Sequence, residues 1–466
     1  MIIHNGQVAL PGADRFQRLD IRVQEGKIVE LGASAETGLR AGDEPTIDAA
    51  GLLVLPGGID AHVHFDDPGY TEREDFYHGS CAAASGGITT VVDMPCTSVP
   101  PVTSMAHLRE KLAAVEGKAA IDFGLYGGVS AQSFAESLER HLAELAPHVL
   151  GFKAYFISGM EAFGRLDHYR FHRLLRRAAG LGRPVLLHAE DYDYVTAATE
   201  AARREGDRPR HYVRSRPEMA EILAVQAAVR LAEDAGADLH IVHVGTAEAA
   251  EIVAASAGRV TCETAPHYLA FDLDDFERIG APLKVTPPVK GARDGARAPN
   301  RERLWALLSG GQIDWVASDH APCPAEEKAS GSIWTAYSGL PGTGTLLPYL
   351  YAEGYQRGRL SLRRLLEVSA ESAARRYGID DRKGFIAVGH DADFAFIDPG
   401  GEWTVRGAAF YSKGKVTPFE GMTLPGRVVR TIVRGTTVYD AERGIVAPAG
   451  YGAWLRPRQT HSRGDL

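Results

Sequence analysis

Pro56-Gly57-Gly58-Ile59-Asp60-Ala61-His62-Val63-His64-Phe65 is an apolar run, opened by a glycine turn, that carries two histidines one residue apart. In a strand successive side chains point to opposite faces, so both imidazoles face the same way and make half of a metal site. With 17 histidines in 466 residues, one such pair lies close to chance expectation. Its meaning depends on whether further ligands arrive at the ends of other strands.

Outward from this run the chain keeps one rhythm: a short apolar segment, a turn, then an amphipathic helical segment. The apolar runs are Ile59 to Phe65, Ile88 to Met94, Ile121 to Tyr126, Val149 to Phe156, Pro184 to His188, Leu239 to Val244, Val260 to Glu263 and Trp315 to Asp319. Parallel strands need crossover helices, and eight such units close on themselves, which predicts an α/β fold: a (β/α)8 TIM barrel over residues 56–384. The first fifty residues (Met1 to Val8, Leu19 to Val23, Lys27 to Leu31) and a late stretch (Asp393 to Ile397, Val428 to Val438) alternate as short strands. They predict a small β-sandwich domain built from both chain ends, residues 1–55 and 385–455, with 456–466 as a flexible tail. The long irregular stretches Pro68 to Asp75, Pro287 to Asn300 and Pro322 to Thr345 follow barrel strands, where active-site loops belong.

Candidate ligands fall at the carboxyl ends of these runs: His62 and His64 on the first, Lys153 on the fourth, His188 on the fifth, His243 on the sixth and Asp319 on the eighth. In a barrel those ends converge on one mouth. Lys153 is the odd member, the only lysine between Lys118 and Lys284. An ammonium is a poor metal ligand and costly to bury beside cations. Carboxylation would turn it into an anionic carbamate whose two oxygens bridge two metals; the competing reading is a salt bridge to Asp319. With the carbamate, one metal takes His62, His64, Lys153 and Asp319, and the other Lys153, His188 and His243. Such ligands suit two divalent ions, zinc first, with manganese, cobalt and iron as alternatives. A bridging hydroxide would attack a polarised carbonyl, and Asp319, the catalytic residue, would carry the proton to the leaving nitrogen.

Together with Gly86-Gly87-Ile88-Thr89-Thr90, Gly151-Phe152-Lys153, His188-Ala189-Glu190, His243-Val244, Glu263-Thr264-Ala265-Pro266-His267-Tyr268, Ser318-Asp319-His320-Ala321-Pro322 and Gly389-His390-Asp391-Ala392-Asp393, the opening stretch resembles the cyclic amidohydrolases. These are the dihydroorotases, allantoinases, hydantoinases and dihydropyrimidinases. The resemblance spans nearly the whole chain and implies the carboxylated lysine, the binuclear centre at the six positions above, and a ring amide as the bond cut.

The pocket discriminates among them. Dihydroorotases typically hold their substrate's carboxylate with an arginine, an asparagine and a histidine where this chain has Asp66, Cys96 and Cys323. An aspartate in place of a guanidinium clamp repels that carboxylate, even if Asp66 only caps its loop. Asp66-Asp67-Pro68-Gly69, Ser98-Val99-Pro100-Pro101, His211-Tyr212-Val213 and Cys323 to Lys328 are more similar to allantoinases. Hydantoinases remain the alternative, through Asp122 to Gly128 and Phe419-Glu420-Gly421-Met422, although the position of a tyrosine some of them carry is Ser158. Tyr155 either replaces it or packs outside the barrel. His267 orients substrate or packs the rim. Thr286 and the backbone around Gly339 lie where family members bind the ring, or are ordinary turn residues. Asp66, Cys96, Tyr155, His267, Thr286, Cys323 and Gly339 are thus the candidate substrate contacts.

Composition narrows the class further. A net charge of −9, dispersed, with 45% hydrophobic and 24% charged residues, gives no basic stripe for nucleic acid and no membrane surface. No apolar stretch is long enough to span a membrane and no secretory signal opens the chain, so a cytoplasmic location is expected. Four unpatterned cysteines fit a reducing compartment. The expected partner is a small cyclic amide or ureide, and by analogy the subunits form a homodimer or homotetramer. A non-catalytic scaffold would have lost ligands, and a single-metal deaminase would lack Lys153.

Overall fold

The computed structural model describes all residues except 34–43, 136, 258, 292–298 and 459–466. The tail expected at 456–466 therefore lies mostly outside the described residues, as does part of the loop between Pro287 and Asn300.

Eight parallel strands surround a common axis: Gly58–Val63, Ile88–Asp93, Asp122–Leu125 (continued by Gly127–Gly128), Phe152–Tyr155, Val185–His188, Leu239–Ile241, Val260–Thr264 and Trp315–Val316. They are hydrogen-bonded as two arcs, the first three strands and the remainder from Gly127–Gly128 onward. One residue, Tyr126, separates the arcs on one side; on the other, Val63 and His320 pair in parallel and the His64 N–H donates to the His320 carbonyl at 2.8 Å. Helices cover the outside, which is why these strands are nearly all apolar and buried instead of alternating with polar residues. The helix His168–Leu181 illustrates the local logic. Asp167 caps its start by accepting the Arg170 N–H, Gly182 ends it in the left-handed conformation (φ 62°), and Phe171, Leu174, Leu175 and Ala178 form its buried stripe.

Two strands stop three residues short of the end of their apolar run. Leu239 to Val244 is strand only to Ile241, and Trp315 to Asp319 only to Val316. The reason is backbone conformation: His243 (φ 42°) and Asp319 (φ 49°) are left-handed and leave the ladder. A side-chain-bearing residue in that region costs about 1–2 kcal/mol, and here it re-aims two side chains at the barrel mouth.

Strands from both chain ends join in one nine-stranded sheet. Ile2–Val8 is its branch point, pairing with Gln17–Gln24, with Thr46–Asp48 along its first half and with Leu53–Pro56 along its second. The sheet folds over one apolar cluster in which Ile21, Val23 and Ile28 share a core with Phe394, Phe396 and Ile432. Val428 to Val438, read as one stretch in the sequence, is instead parts of two antiparallel strands, Thr423–Val433 and Thr436–Asp440. They turn at Arg434 (φ 43°) and Gly435 (φ 74°), the two successive left-handed residues that a tight hairpin demands.

A chain segment near the C-terminus closes the barrel's far end. The Gly452 N–H donates to the Ala119 carbonyl, the Phe123 N–H to Ala453 and the Leu455 N–H back to Phe123. Beside it, Lys383 is fully buried among Asp122 (2.6 Å), Asp393 (2.7 Å) and Asp391 (3.0 Å), tying the third barrel strand to the sheet. Replacing the lysine would leave buried Asp393 without a cationic partner and take one from Asp122, which keeps Arg434, and from Asp391, which keeps Lys27 and Arg382. Lys383→Met is expected to lose about 3–5 kcal/mol in chemical denaturation, and a loss under about 1 kcal/mol would show the cluster to be dispensable.

Candidate active site

Each barrel strand delivers its polar side chain to the same end. His62 and His64 leave the first strand on one face, with ring centroids 5.3 Å apart, and both approach Asp319 Oδ1, through His62 Nε2 at 3.3 Å and His64 Nε2 at 3.4 Å. The ligand-type atoms of these three residues all lie within 4.8 Å of one another. The His243 ring lies 5.4 Å from that of His62 and 4.7 Å from that of His188. His188 Nδ1 and His243 Nε2 face each other at 3.0 Å. Lys153 is fully buried, and its Nζ has no hydrogen-bond partner. The salt bridge to Asp319 that the sequence left open is not formed among the described contacts. The lysine's charge acts on His62, His188 and His243 alike, which places it between the two histidine groups.

The donor atoms suit divalent cations. Burial disfavours the charged forms of His62, His188 and His243 and holds their pKa values below the ordinary range, so their lone pairs are available. His62 Nε2 and Lys153 Nζ are buried without a hydrogen-bond partner, an arrangement that is costly unless a further group binds there. Burial brings Lys153 down to about 8. Burial also acts to raise Asp319, but electrostatic interaction with His62, the His64 hydrogen bond and interaction with His243 outweigh it and hold the carboxyl well below the carboxylate range.

Carboxylates behind the histidines set their orientation. His62 Nδ1–H donates to Glu263 Oε1 at 2.5 Å, and Glu263 Oε2 accepts Trp315 Nε1–H at 2.8 Å with His240 Nε2 3.2 Å away. His188 Nε2–H donates to Glu190 Oε2 at 2.9 Å, and Arg216 pairs with the same oxygen. Despite burial, the neighbouring histidines keep Glu263, and Arg216 with His188 keep Glu190, ionised with pKa values of about 2. These hydrogen bonds fix which nitrogen of each ring points into the site. Sequence reasoning missed both roles. Glu263 and Glu190 stand inside quoted motifs, yet Glu263 is 201 residues from His62 and only the closed barrel brings them together. Asp60 was missed likewise: it accepts the Ser318 N–H at 2.9 Å and its hydroxyl, locking the first strand to the eighth beside Asp319.

Six of the seven candidate substrate contacts fall into three places, and His267 lies apart from them. Tyr155 faces inward: its ring stacks on His188 (5.2 Å, 24°), Lys153 Nζ lies 4.8 Å from its centroid, and its hydroxyl is 3.0 Å from Cys96 Sγ. Cys96 is in turn 3.9 Å from His64 Nδ1. A second place holds Asp66, left-handed at φ 52°, with Cys323, Arg73 and Tyr337 close enough to act on one another electrostatically. The Asp66 side chain does not cap its loop; its main-chain carbonyl does, accepting the Tyr70 N–H at 2.8 Å. Its two carboxyl oxygens are buried and unpartnered, and burial pushes the group up to about 7. The third place joins Thr286, bonded to the Tyr212 hydroxyl at 2.5 Å, to Gly339, whose N–H donates to the Lys284 carbonyl at 3.0 Å. Any side chain at Gly339 (φ 154°) would meet the Ala321 carbonyl at 2.3 Å. His267 is buried near Asp319 and His62 with both nitrogens unpartnered, and burial lowers it to about 4.

Glu263→Gln keeps the shape at that position but removes the charge that aims His62. It is expected to weaken metal retention by about 10–100-fold in competition with a chelator, and unchanged retention would remove Glu263 from the orienting role.

Comparison with known proteins agrees with this architecture. The amidohydrolase family profile matches residues 53–438. An allantoinase of Rubrobacter xylanophilus is 40% identical over 98% of this chain and 98% of its own length. An allantoinase of Escherichia coli O1:K1 / APEC is 37% identical over 97% of each. Among solved structures, L-hydantoinase (dihydropyrimidinase) from Arthrobacter aurescens has a TM-score of 0.91 at 32% identity, covering 98% of this chain and 99% of that one. A D-hydantoinase has a TM-score of 0.89 at 28% identity, covering 98% of both. The chain belongs to the amidohydrolase family.

Proposed function

We propose that this protein is an allantoinase, a cyclic amidohydrolase that cleaves a ring C–N bond of allantoin to give allantoate. The observation that carries the reading is full-length identity of 37–40% to proteins of that name. The pocket supports it. The positions from which a dihydroorotase would clamp a carboxylate hold Asp66, Cys96 and Cys323, so an anionic substrate meets an acidic group there instead of a cation. An uncharged hydantoin ring with a donor-rich ureido arm suits unpartnered acceptor oxygens.

The residues fit two divalent ions, zinc first among them and manganese, cobalt or iron as alternatives. His62, His64 and Asp319 would hold one, His188 and His243 the other, and a carbamate on Lys153 would bridge them. When bound, such a pair supplies Lewis acidity and acidifies water at neutral pH. The chain's own contributions are separate. Burial brings Lys153 to about 8, which raises the fraction of neutral amine that can add to carbon dioxide; one proton is released as the carbamate forms. Asp319 accepts a proton from the attacking water on its carboxylate and returns it to the ring nitrogen as the C–N bond breaks. The Tyr155 ring, packed on His188, lines the floor beneath the substrate. The main chain around Gly339 and the Thr286 segment hold the ring in register with Asp319. The active unit is a cytoplasmic homodimer or homotetramer; among the described residues no helix is long and apolar enough to cross a membrane.

The second reading is a hydantoinase or dihydropyrimidinase, favoured by solved structures of those names with TM-scores up to 0.91. Parallel assays with allantoin, 5-substituted hydantoins, dihydrouracil and dihydroorotate decide between them. Turnover of allantoin well above the others is expected; a preference for substituted hydantoins selects the second reading, and a preference for dihydroorotate overturns both. Lys153→Ala is expected to lose bound metal and activity together, whereas two retained metals and full turnover would refute the carbamate.

A further inference from the structure

Two lysines near the mouth are buried without an acidic partner. Lys284 is 3% exposed and Lys328 5%, and among the described residues neither ammonium pairs with a carboxylate. Asp207, whose charge reaches Lys284, instead accepts the Ile333 N–H at 2.8 Å. Both ammonium groups are spent on main-chain carbonyls. Lys284 Nζ donates to Ala336 and, at 3.4 Å, to Trp334, and it lies 4.8 Å from the centre of the Tyr212 ring. Lys328 Nζ donates to the Tyr337 carbonyl and to the Lys284 carbonyl, each at 3.0 Å.

The Lys284 carbonyl is the meeting point, because it also accepts the Gly339 N–H at 3.0 Å. The segment 284–286 is thereby fastened to the loop 334–339. Further along, that loop returns to the eighth strand: the Ala321 N–H donates to Leu340 at 2.9 Å and the Gly342 N–H to His320 Nδ1 at 3.1 Å. The fastening therefore sits between the two main-chain stretches that face the substrate and the residue that follows Asp319. Burying two like charges side by side is unfavourable, and the desolvation lowers Lys328 to about 7 and Lys284 to about 8. An apolar pair could fill this volume, but only hydrogen-bond donors can satisfy four carbonyls that have turned inward.

We infer that Lys284 and Lys328 are positioning residues for substrate binding, stapling the Thr286 segment to the Tyr337–Gly339 segment so that both present their main chain to the ring in one geometry. This rests on the reading that these stretches hold the substrate. The lysines touch neither the candidate metal ligands nor the reacting atoms, so loosening the staple disturbs binding more than chemistry.

The test uses metal-loaded full-length Lys328→Met and the unaltered enzyme. Amide hydrogen exchange over 334–341 is expected to speed up in the variant, and KM for allantoin to rise about tenfold while kcat and metal content stay within about twofold. Lys328→Gln, which keeps an N–H donor, is expected to recover part of the KM; it also serves as the reading if the methionine variant does not fold. Exchange and KM equal to the unaltered enzyme would overturn the inference, as would a loss confined to kcat. If the unaltered enzyme does not turn over allantoin, the proposed function fails, yet the exchange comparison still tests the staple.

Discussion

A lysine amine buried in the middle of a barrel with no hydrogen-bond partner is the constraint around which this structure is arranged. Lys153 Nζ is buried and unpartnered, 4.8 Å from the centre of the Tyr155 ring. In isolation that costs several kcal/mol. Such a position persists only where something repays it; around it His62, His188 and His243 are held neutral by burial, Asp319 is strongly ionised, and carboxylates behind the His62 and His188 rings hold their direction. The apolar helices outside supply stability and leave the interior free to be polar.

Strain and electrostatics act together at the strand ends. Asp66, His243 and Asp319 all adopt left-handed backbones where their strands stop. Each departure from the ladder turns a side chain that would have pointed along the barrel wall toward the mouth instead. The surrounding hydrogen bonds over-determine these conformations, as Asp60 does by gripping Ser318 from the opposite strand. The loops above are held by a different device, buried lysines that satisfy inward carbonyls, so the floor and the rim of the site are fixed independently.

Much of this was legible in one dimension. Strand runs and helix stripes have periods a sequence displays, so the barrel order and the two-ended sheet follow from patterning. His62, His64, Lys153, His188, His243 and Asp319 could be marked because a barrel sends every strand end to one mouth. Tyr155 could not be oriented, since the last residue of a short strand can face either way; its stacking on His188 resolves it. The Arg434-Gly435 turn was not placed because arginine carries no preference for a positive φ, and strand-favouring residues resume at once in Thr436-Thr437-Val438.

Sequence by itself determined the element order, the residue types available at the mouth and the absence of a cationic clamp at position 66, because these depend on local patterning and on chemistry carried by single residues. Tertiary structure alone decided which nitrogen of His62 faces inward, that Lys153 is left without a partner, and that Lys284 spends its charge on carbonyls of a distant loop while Lys328 bonds the distant Lys284 carbonyl. Those outcomes depend on contacts between residues tens to hundreds of positions apart, and such contacts exist only after the strands have closed and water has been excluded from between them.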